Sequence, residues 1–355
     1  MTVLVRAQAG DENAFRELTA PYFRELHLHC YRMLGSVTDA DDVMQEILLA
    51  AWRGLDGFAG RSSVRTWLYR IATNRCLNAI RDSKRRPPVE PVPPFDPPAP
   101  SRRSEVTWLQ PYPDEWLHQL ADSEPGPETH AVRRENVELA FIAALQRMPP
   151  KQAAALLLVD VLGFATTDVA DLMDTSPTAI KGALQRARAS LRTSQGSKPA
   201  DAPSRANSRS SEVPDATNRR GSEIPDAAAE RQLARRFAEA FVADDIDAIT
   251  SMLTDDAWLT MPPAPHEYYG PPAIAAFLHA SAEARTGSTL QFEEAGANLQ
   301  PAFHCYFVDQ HHVRRYAGRL VLGIRSDHIT HITRFLGPAP ATRITQFLGP
   351  AAEPS

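Results

Sequence analysis

Phe164-Ala-Thr-Thr-Asp-Val-Ala-Asp-Leu-Met-Asp-Thr-Ser-Pro-Thr-Ala-Ile-Lys-Gly-Ala-Leu-Gln-Arg-Ala-Arg-Ala-Ser-Leu-Arg192 is the stretch whose pattern decides the fold. Its first half predicts a short helix that buries Val169, Ala170 and Leu172, with the small Ala170 letting a second helix cross closely. Asp174-Thr175-Ser176 makes the turn; Ser176 is a good N-cap and Pro177 suits the first helical position. The second helix buries Ile180, Leu184, Ala187 and Leu191 at spacings of four, three and four, which leaves Lys181, Gln185, Arg186 and Arg188 off the stripe. This is helix-turn-helix geometry, with the second helix presented to a major groove. Phosphate contacts would supply affinity, and Thr178, Lys181 and Gln185 near the helix start are the candidate base readers. Two core helices with a solvated basic face would share the stripe. The turn chemistry, and the absence of any acid among residues 176–198, favour the first reading.

Working outward, charge is segregated along the chain. Residues 57–86 hold eight Lys/Arg against one acid, Asp82, whereas residues 230–355 hold ten basic and fourteen acidic residues. The net charge of −5 hides this arrangement of two basic modules followed by a mildly acidic one. In the first module, Gly57-Phe-Ala-Gly-Arg-Ser-Ser-Val-Arg-Thr-Trp-Leu-Tyr-Arg70 is a glycine-bearing loop running into a helix. Phe58, Trp67 and Tyr69 offer stacking faces, and Arg61, Arg65, Arg70 and Arg75 offer phosphate contacts, a combination suited to unpaired DNA. Burial of Trp67 in the core of an ordinary basic helix is the other reading. Upstream, Asp39-Ala-Asp-Asp-Val-Met-Gln-Glu46 sets acids on the exposed face of an apolar-striped helix, where they also complement the helix dipole.

The chain has 355 residues and a mass of 39.1 kDa, enough for two or three domains. Its longest fully apolar run, Ala153 to Val159, is seven residues, and no basic-then-apolar leader opens it. Cys30, Cys76 and Cys305 are widely separated, so neither a disulfide framework nor a CxxC metal site is expected. The expectation is a soluble cytoplasmic protein that does not engage a membrane. Two proline- or serine-rich breaks divide it. Pro87 to Pro100 carries eight prolines in fourteen residues and predicts an extended spacer; Gln195 to Asn218 predicts a disordered linker. At the end, Ile332-Thr-Arg-Phe-Leu-Gly-Pro-Ala339 recurs as Ile344-Thr-Gln-Phe-Leu-Gly-Pro-Ala351. Residues 11–86 and 128–192 have helical periodicity. Residues 230–340 begin with helices (Arg231–Val242, Ile246–Leu253). They then alternate like strands (Trp258–Met261, Thr289–Glu293, Phe303–Val308, Arg319–Ile324, Ile329–Leu336), an α+β order.

These residues carry a resemblance. Residues 39–46 with Phe58-Ala-Gly-Arg-Ser-Ser-Val-Arg-Thr-Trp-Leu-Tyr-Arg-Ile-Ala-Thr-Asn74 resemble region 2 of an extracytoplasmic-function sigma factor of bacterial RNA polymerase. Met148-Pro-Pro-Lys-Gln152, Asp160-Val-Leu-Gly-Phe164 and Ala187-Arg-Ala-Ser-Leu-Arg192 resemble its region 4, departing from it at Ala153-Ala154, where the family usually carries a basic residue. The resemblance implies that Asp41, Asp42, Gln45 and Glu46 dock on the coiled coil of the polymerase largest subunit, with region 4 at its flap. It also implies that Phe58, Arg61, Ser62, Ser63, Arg65, Trp67, Arg70, Asn74 and Asn78 meet the melted −10 element. Ser176, Thr178, Lys181, Gln185, Arg186 and Arg188 then meet the −35 element of promoter DNA. The proline-rich spacer would let the two reading modules stand apart on one promoter. Val106-Thr-Trp-Leu-Gln-Pro-Tyr-Pro-Asp-Glu-Trp-Leu-His-Gln-Leu120 resembles a segment of the subgroup with a C-terminal extension, and its aromatics suggest docking.

Residues 230–337 resemble the SnoaL-like, cone-shaped α+β fold shared with nuclear transport factor 2, on Phe237-Ala-Glu-Ala-Phe-Val-Ala-Asp-Asp-Ile-Asp247, Met261-Pro-Pro263 and Tyr269-Gly-Pro-Pro-Ala-Ile274. Such a cone leaves a cavity, and Trp258, His266, Tyr268, His304 and His331 are the candidate lining of a small-molecule site. No Ser/His/Asp order, HExxH or phosphate loop appears, so no catalytic residue, metal ligand or cofactor is assigned. The expected organisation is a multidomain chain of two all-α modules and an α+β module. It comprises region 2 at 8–86, a linker with an aromatic segment at 87–127, region 4 at 128–194, a linker at 195–228, the SnoaL-like domain at 229–340 and the tail at 341–355. The expected function is promoter recognition and initiation with core polymerase, modulated by intramolecular contact with the C-terminal domain. The alternative is a polymerase-independent helix-turn-helix regulator with a ligand-sensing domain, which would need neither the acidic helix 39–46 nor the loop 58–63.

Overall fold

The computed structural model describes residues 2–83, 95–103, 109–121, 134–194, 227–285 and 288–336. Residues 87–94 of the expected polyproline stretch Pro87–Pro100, Trp108, most of the 195–228 linker and the 341–355 tail lie outside the described residues. At the linker's end, a helix has already begun at Ala227.

The N-terminal helices are α1 (Val3–Gln8), α2 (Glu12–Thr19), α3 (Phe23–Leu34), α4 (Val37–Gly54) and α5 (Val64–Ser83). Local chemistry sets the α3–α4 corner. Gly35 ends α3 in the left-handed region at φ 72°, and the Ser36 hydroxyl accepts the Asp39 N–H at 3.1 Å to start α4. Leu26, Cys30, Ile47, Leu68, Ala72 and Cys76 then close a core among α3, α4 and α5. The linker contributes α6 (Asp114–Ala121). The second helical module holds α7 (Leu139–Gln146), α8 (Pro150–Leu156), α9 (Thr166–Leu172) and α10 (Pro177–Ser194). Ala153 and Ala154, the departure from the family pattern, are buried in α8.

The C-terminal module is α+β, as expected. It contains α11 (Ala227–Val242), α12 (Ile246–Ser251), α13 (Gly270–Glu283) and strands β2 (Leu253–Met261), β3 (Ala264–Tyr269), β4 (Ser288–Ala297), β5 (Gln300–Asp309), β6 (Arg314–Arg325) and β7 (His328–Phe335). Residues 264–269, outside the segments that alternate like strands, also form a strand. A further strand, β1 (Arg102–Arg103), comes from the linker and pairs antiparallel with β3, so the sheet order is β1-β3-β2-β7-β6-β5-β4.

Strand alternation gives the sheet two different faces. Leu259, Tyr268, Phe292, Phe303, Cys305, Leu320, Leu322 and Ile332 pack under α11–α13 in the module's own core. The opposite face carries Ala295, Ala297, Ala302, Val321 and Phe335, which join the core of the two helical modules. All three modules pack together, with the described linker residues 95–103 at the sheet edge and 109–114 over the α3–α4 corner.

Candidate functional site

The helix-turn-helix forms as its residues dictate. Asp174 takes a left-handed φ of 50° in the turn, the Thr175 N–H donates to the Ala170 carbonyl at 2.9 Å, and the Ser176 hydroxyl accepts the Ala179 N–H at 3.2 Å. Ile180, Leu184 and Ala187 are buried, while Ser176, Thr178, Lys181, Gln185, Arg186 and Arg188 are exposed. Arg188 forms two bonds to the Asp160 carboxylate, at 2.9 and 2.7 Å, which raise its pKa. The other basic side chains of α10 are available to a polyanion.

The loop before α5 is held by Gln8, whose amide donates to the carbonyls of Leu55 and Phe58, both at 3.1 Å. Phe58 and Trp67 are half-buried against one another at 5.0 Å, whereas Arg61, Ser62, Ser63, Asn74 and Asn78 are exposed. Arg65 and Arg70 are engaged. Arg65 makes a forked ion pair with Glu25, and its guanidinium lies 5.0 Å over both Tyr69 and Phe164; Arg70 pairs with Asp174 at 2.7 Å. Phe164 and Asp174 belong to the helix-turn-helix module, so that module covers part of the basic face of α5.

On α4, Asp42 and Glu46 are exposed and Gln45 is half-buried, but Asp41 points inward. Helical spacing puts Asp41 on the same stripe as Val37, Ala40 and Met44, all buried. Its carboxylate lies 3.1 Å from His27 Nε2, and His27 Nδ1 lies 2.9 Å from the Tyr112 hydroxyl. The expectation of an exposed docking role for Asp41 is corrected accordingly, and Asp41 instead supports the linker.

That linker segment, Leu109 to Asp114, lies over the α3–α4 corner. Gln110 donates its N–H to the Gly35 carbonyl at 2.8 Å and accepts from Tyr31, Ser36 and Thr38. Tyr112 is buried beside Tyr31, their rings 4.6 Å apart. Into this junction the β4–β5 hairpin inserts Asn298, fully buried at a left-handed φ of 58°. Its Oδ1 accepts the Tyr112 N–H at 2.8 Å, and its Nδ2 donates to the Tyr31 hydroxyl at 2.9 Å and the Val137 carbonyl at 2.6 Å. One side chain thus ties the sheet to the first module, the linker and the second module. Beside it, Gln300 accepts the Leu139 N–H at 2.9 Å, and Asp114 accepts the Leu299 N–H at 2.8 Å. A Cβ on Gly296 would overlap the Asp114 carboxylate, so glycine lets the two approach without displacing that side chain. Burial pushes the Asp114 carboxyl up to about 6.

A second tie lies at the sheet edge. The buried Glu267 carboxylate on β3 pairs with Arg102 of the linker and with Arg147 of the second module, the latter at 2.9 Å. Arg102 also lies 4.6 Å over the Trp258 ring, Tyr269 donates its N–H to the Ser101 hydroxyl at 3.0 Å, and the Tyr268 hydroxyl donates to the Pro98 carbonyl at 3.0 Å. Arg134 pairs with the buried Glu230 of α11.

The proposed lining residues are not brought into one cavity. His266 and Tyr268 lie on the helix-covered face, while Trp258, His304 and His331 lie on the face turned to the helical modules. The sequence pattern does not say which strands pair, and the split follows from the pairing: Trp258 lies opposite Tyr269 and His331, and Tyr268 lies opposite Leu259. Burial lowers the His331 pKa to about 4 and lowers that of His304, so both imidazoles are neutral at pH 7. Among the described residues no group of His, Cys, Asp and Glu could hold a metal ion, and no helix is long and apolar enough to cross a membrane. Sequence reasoning missed Asn298, Gln300 and Glu267; an asparagine in a tight hairpin turn was the one local signal available.

Comparison with known proteins agrees with this geometry. Residues 18–86 match the family model for sigma-70 region 2, and residues 138–191 match that for sigma-70 region 4. The chain is 39% identical over 325 residues to the ECF RNA polymerase sigma factor SigG of Mycobacterium tuberculosis, covering 91% of this chain and 81% of that one. It is 31% identical over 186 residues to the RNA polymerase sigma-H factor of Pseudomonas aeruginosa, covering 52% and 88%. In fold it is similar to the crystal structure of the Mycobacterium tuberculosis extracytoplasmic function sigma factor SigJ, with a TM-score of 0.56, 17% identity and coverage of 90% and 97%.

Proposed function

The chain belongs to the extracytoplasmic-function family of RNA polymerase sigma factors, and we propose that it reads −35 and −10 elements under the control of its own C-terminal domain. In this reading α10 enters the −35 major groove, with Thr178, Lys181 and Gln185 at base edges and Arg186 and Arg188 on phosphates. The loop from Phe58 to Ser63 and the exposed face of α5 take the −10 strand as it unpairs, stacking and phosphate contacts replacing base pairing. Asp42, Gln45 and Glu46 on α4 dock on the core polymerase.

The observation that carries the regulatory part is Asn298, whose amide bonds at once to the first module, the linker and the second module. The packed arrangement also occupies Arg65 and Arg70, two of the −10 contacts, with residues of the −35 module. Two modules held against each other cannot reach two separated promoter elements, so in this reading the packed arrangement is a closed form that opens to initiate. The C-terminal sheet stabilises the closed form through Asn298 and Glu267. Transcription assays with core polymerase test this: weakening either tie raises promoter-specific output, and output indifferent to both ties removes the regulatory reading.

A further inference from the structure

The packed arrangement does not cover the surfaces of the first module equally. Helical spacing puts Asp42, Gln45, Glu46, Leu49 and Arg53 along one face of α4. Gln45 is half-buried and the other four are exposed. Leu49 keeps 55% of its surface, the largest share of any large apolar side chain among the described residues, so this face has an apolar centre and a polar rim. Glu46 pairs with Arg75 of the same module at 3.7 Å, an exposed pair that a better-matched partner displaces at little cost.

The α5 face is treated differently. Arg65 is half-buried and held on several sides: Glu25 forks its guanidinium, and the Tyr69 and Phe164 rings each lie 5.0 Å from it. Phe164 also meets Tyr69 edge-on at 5.3 Å. Further along α5, Arg70 is held by Asp174 at 2.7 Å. Glu25 and Tyr69 belong to the first module, but Phe164 and Asp174 come from the second. Phe164 precedes α9 and Asp174 follows it, so α9 is laid against α5 by a clamp at either end. Asp174 can hold its place because aspartate tolerates the left-handed φ of 50° that the turn requires.

We infer that the restraint acts after the chain has docked on core polymerase: the closed form binds polymerase through α4, and what it withholds is capture of the unpaired −10 strand, because Phe164 and Asp174 hold α9 over α5. This rests on the sigma-factor reading of α4 and α5, and the experiment separates the two. Labelled full-length chain is titrated with sigma-free core polymerase. The resulting holoenzyme is then titrated with a fork fragment, unpaired through its −10 element, from a promoter selected by run-off transcription. The chains compared are the parent, Asn298→Gly, Asp174→Asn, and Asp174→Asn combined with Phe164→Leu. Asparagine keeps the left-handed turn and loses the charge; leucine keeps the burial and loses the ring face. All four bind core polymerase with affinities within about threefold of one another, as expected when only exposed surface pairs differ at α4. Capture of the fork rises about threefold in D174N, which loses one exposed pair, and roughly tenfold in the double variant and in N298G. D174N leaves the apolar packing intact and carries the test if the double variant misfolds. The inference is overturned if N298G binds core polymerase at least roughly tenfold more tightly than the parent, since the restraint then acts at docking. It is overturned equally if neither D174N nor the double variant captures the fork better than the parent. If no form of the chain binds core polymerase, the sigma-factor reading itself fails, and the inference with it.

Discussion

Replacing Asn298 by glycine is expected to release the C-terminal sheet from the helical modules without unfolding it. The amide of Asn298 makes three hydrogen bonds, all to residues outside the sheet: Tyr112, Tyr31 and Val137. Tyr31 keeps a second bond, from its hydroxyl to the Gln110 carbonyl at 2.9 Å, so the variant orphans chiefly the Tyr112 N–H and the Val137 carbonyl. Each buried orphan costs about 1–3 kcal/mol while the junction stays shut, so closure weakens by roughly 2–6 kcal/mol. Water entering the gap favours the lower half of that range. Even about 3 kcal/mol is a shift of roughly a hundredfold toward the open form. Glycine is the informative choice, because the backbone at φ 58° accepts it freely, whereas alanine would add about 1 kcal/mol of backbone strain. The assay is a spin-label distance measurement between Asn74→Cys on α5 and Val313→Cys before β6, both exposed sites. The parent gives one narrow distance and N298G a broad, longer distribution with the sheet's own melting unchanged. A narrow parental distance in N298G would refute the latch.

Glu267→Gln removes the charge shared by Arg102 and Arg147; since both arginines are partly exposed, closure loses only about 1–3 kcal/mol, seen as faster tryptic cleavage after Arg102 and Arg103. Closure also responds to pH through Asp114, which is faced by His118, Glu115 and Arg319. Its carboxyl titrates near 6 when shut and near its ordinary value of 3.8 when free, so the closed form holds a proton the open form has lost. Closure is therefore tighter at pH 5 than at pH 7 and weakens as pH rises through about 6; Asp114→Asn flattens this profile in the same distance measurement. Arg186→Ala is expected to weaken duplex binding evenly across sequences and to lower the salt dependence by about one ion, whereas Gln185→Ala relaxes preference at one base position, as read by fluorescence anisotropy on promoter variants.

The helical modules were legible because their information is local. The Ser176-Pro177 cap, the four-three-four stripe of α10 and the charge segregation all act within a few turns, and the structure honours them. Asp41 was misread because Asp39, Asp41 and Asp42 look equivalent in sequence until helix phase sets Asp41 on the stripe of Val37 and Met44. The linker was legible in composition but not in partner. Arg102-Arg103 has no strand signature of its own, and becomes a strand only because β3 offers an unpaired edge and Glu267 a buried carboxylate. The candidate ligand residues fall on two faces because face assignment depends on which strands pair and in what register, which no local residue pattern announces. Asn298 was invisible because it derives its meaning from residues far away in the chain.

Promoter-dependent initiation restrained by the chain's own sheet is the property on which the other predictions depend. The most direct measurement is run-off transcription with sigma-free core polymerase on a library of promoter fragments, comparing the intact chain, N298G, and Asp42→Ala combined with Glu46→Ala. Transcripts that start at a common −35/−10 pattern, rise with N298G and vanish with the α4 pair are the predicted result. Silence from both the intact chain and N298G, with duplex DNA still bound, would contradict it and favour a helix-turn-helix regulator that works without polymerase.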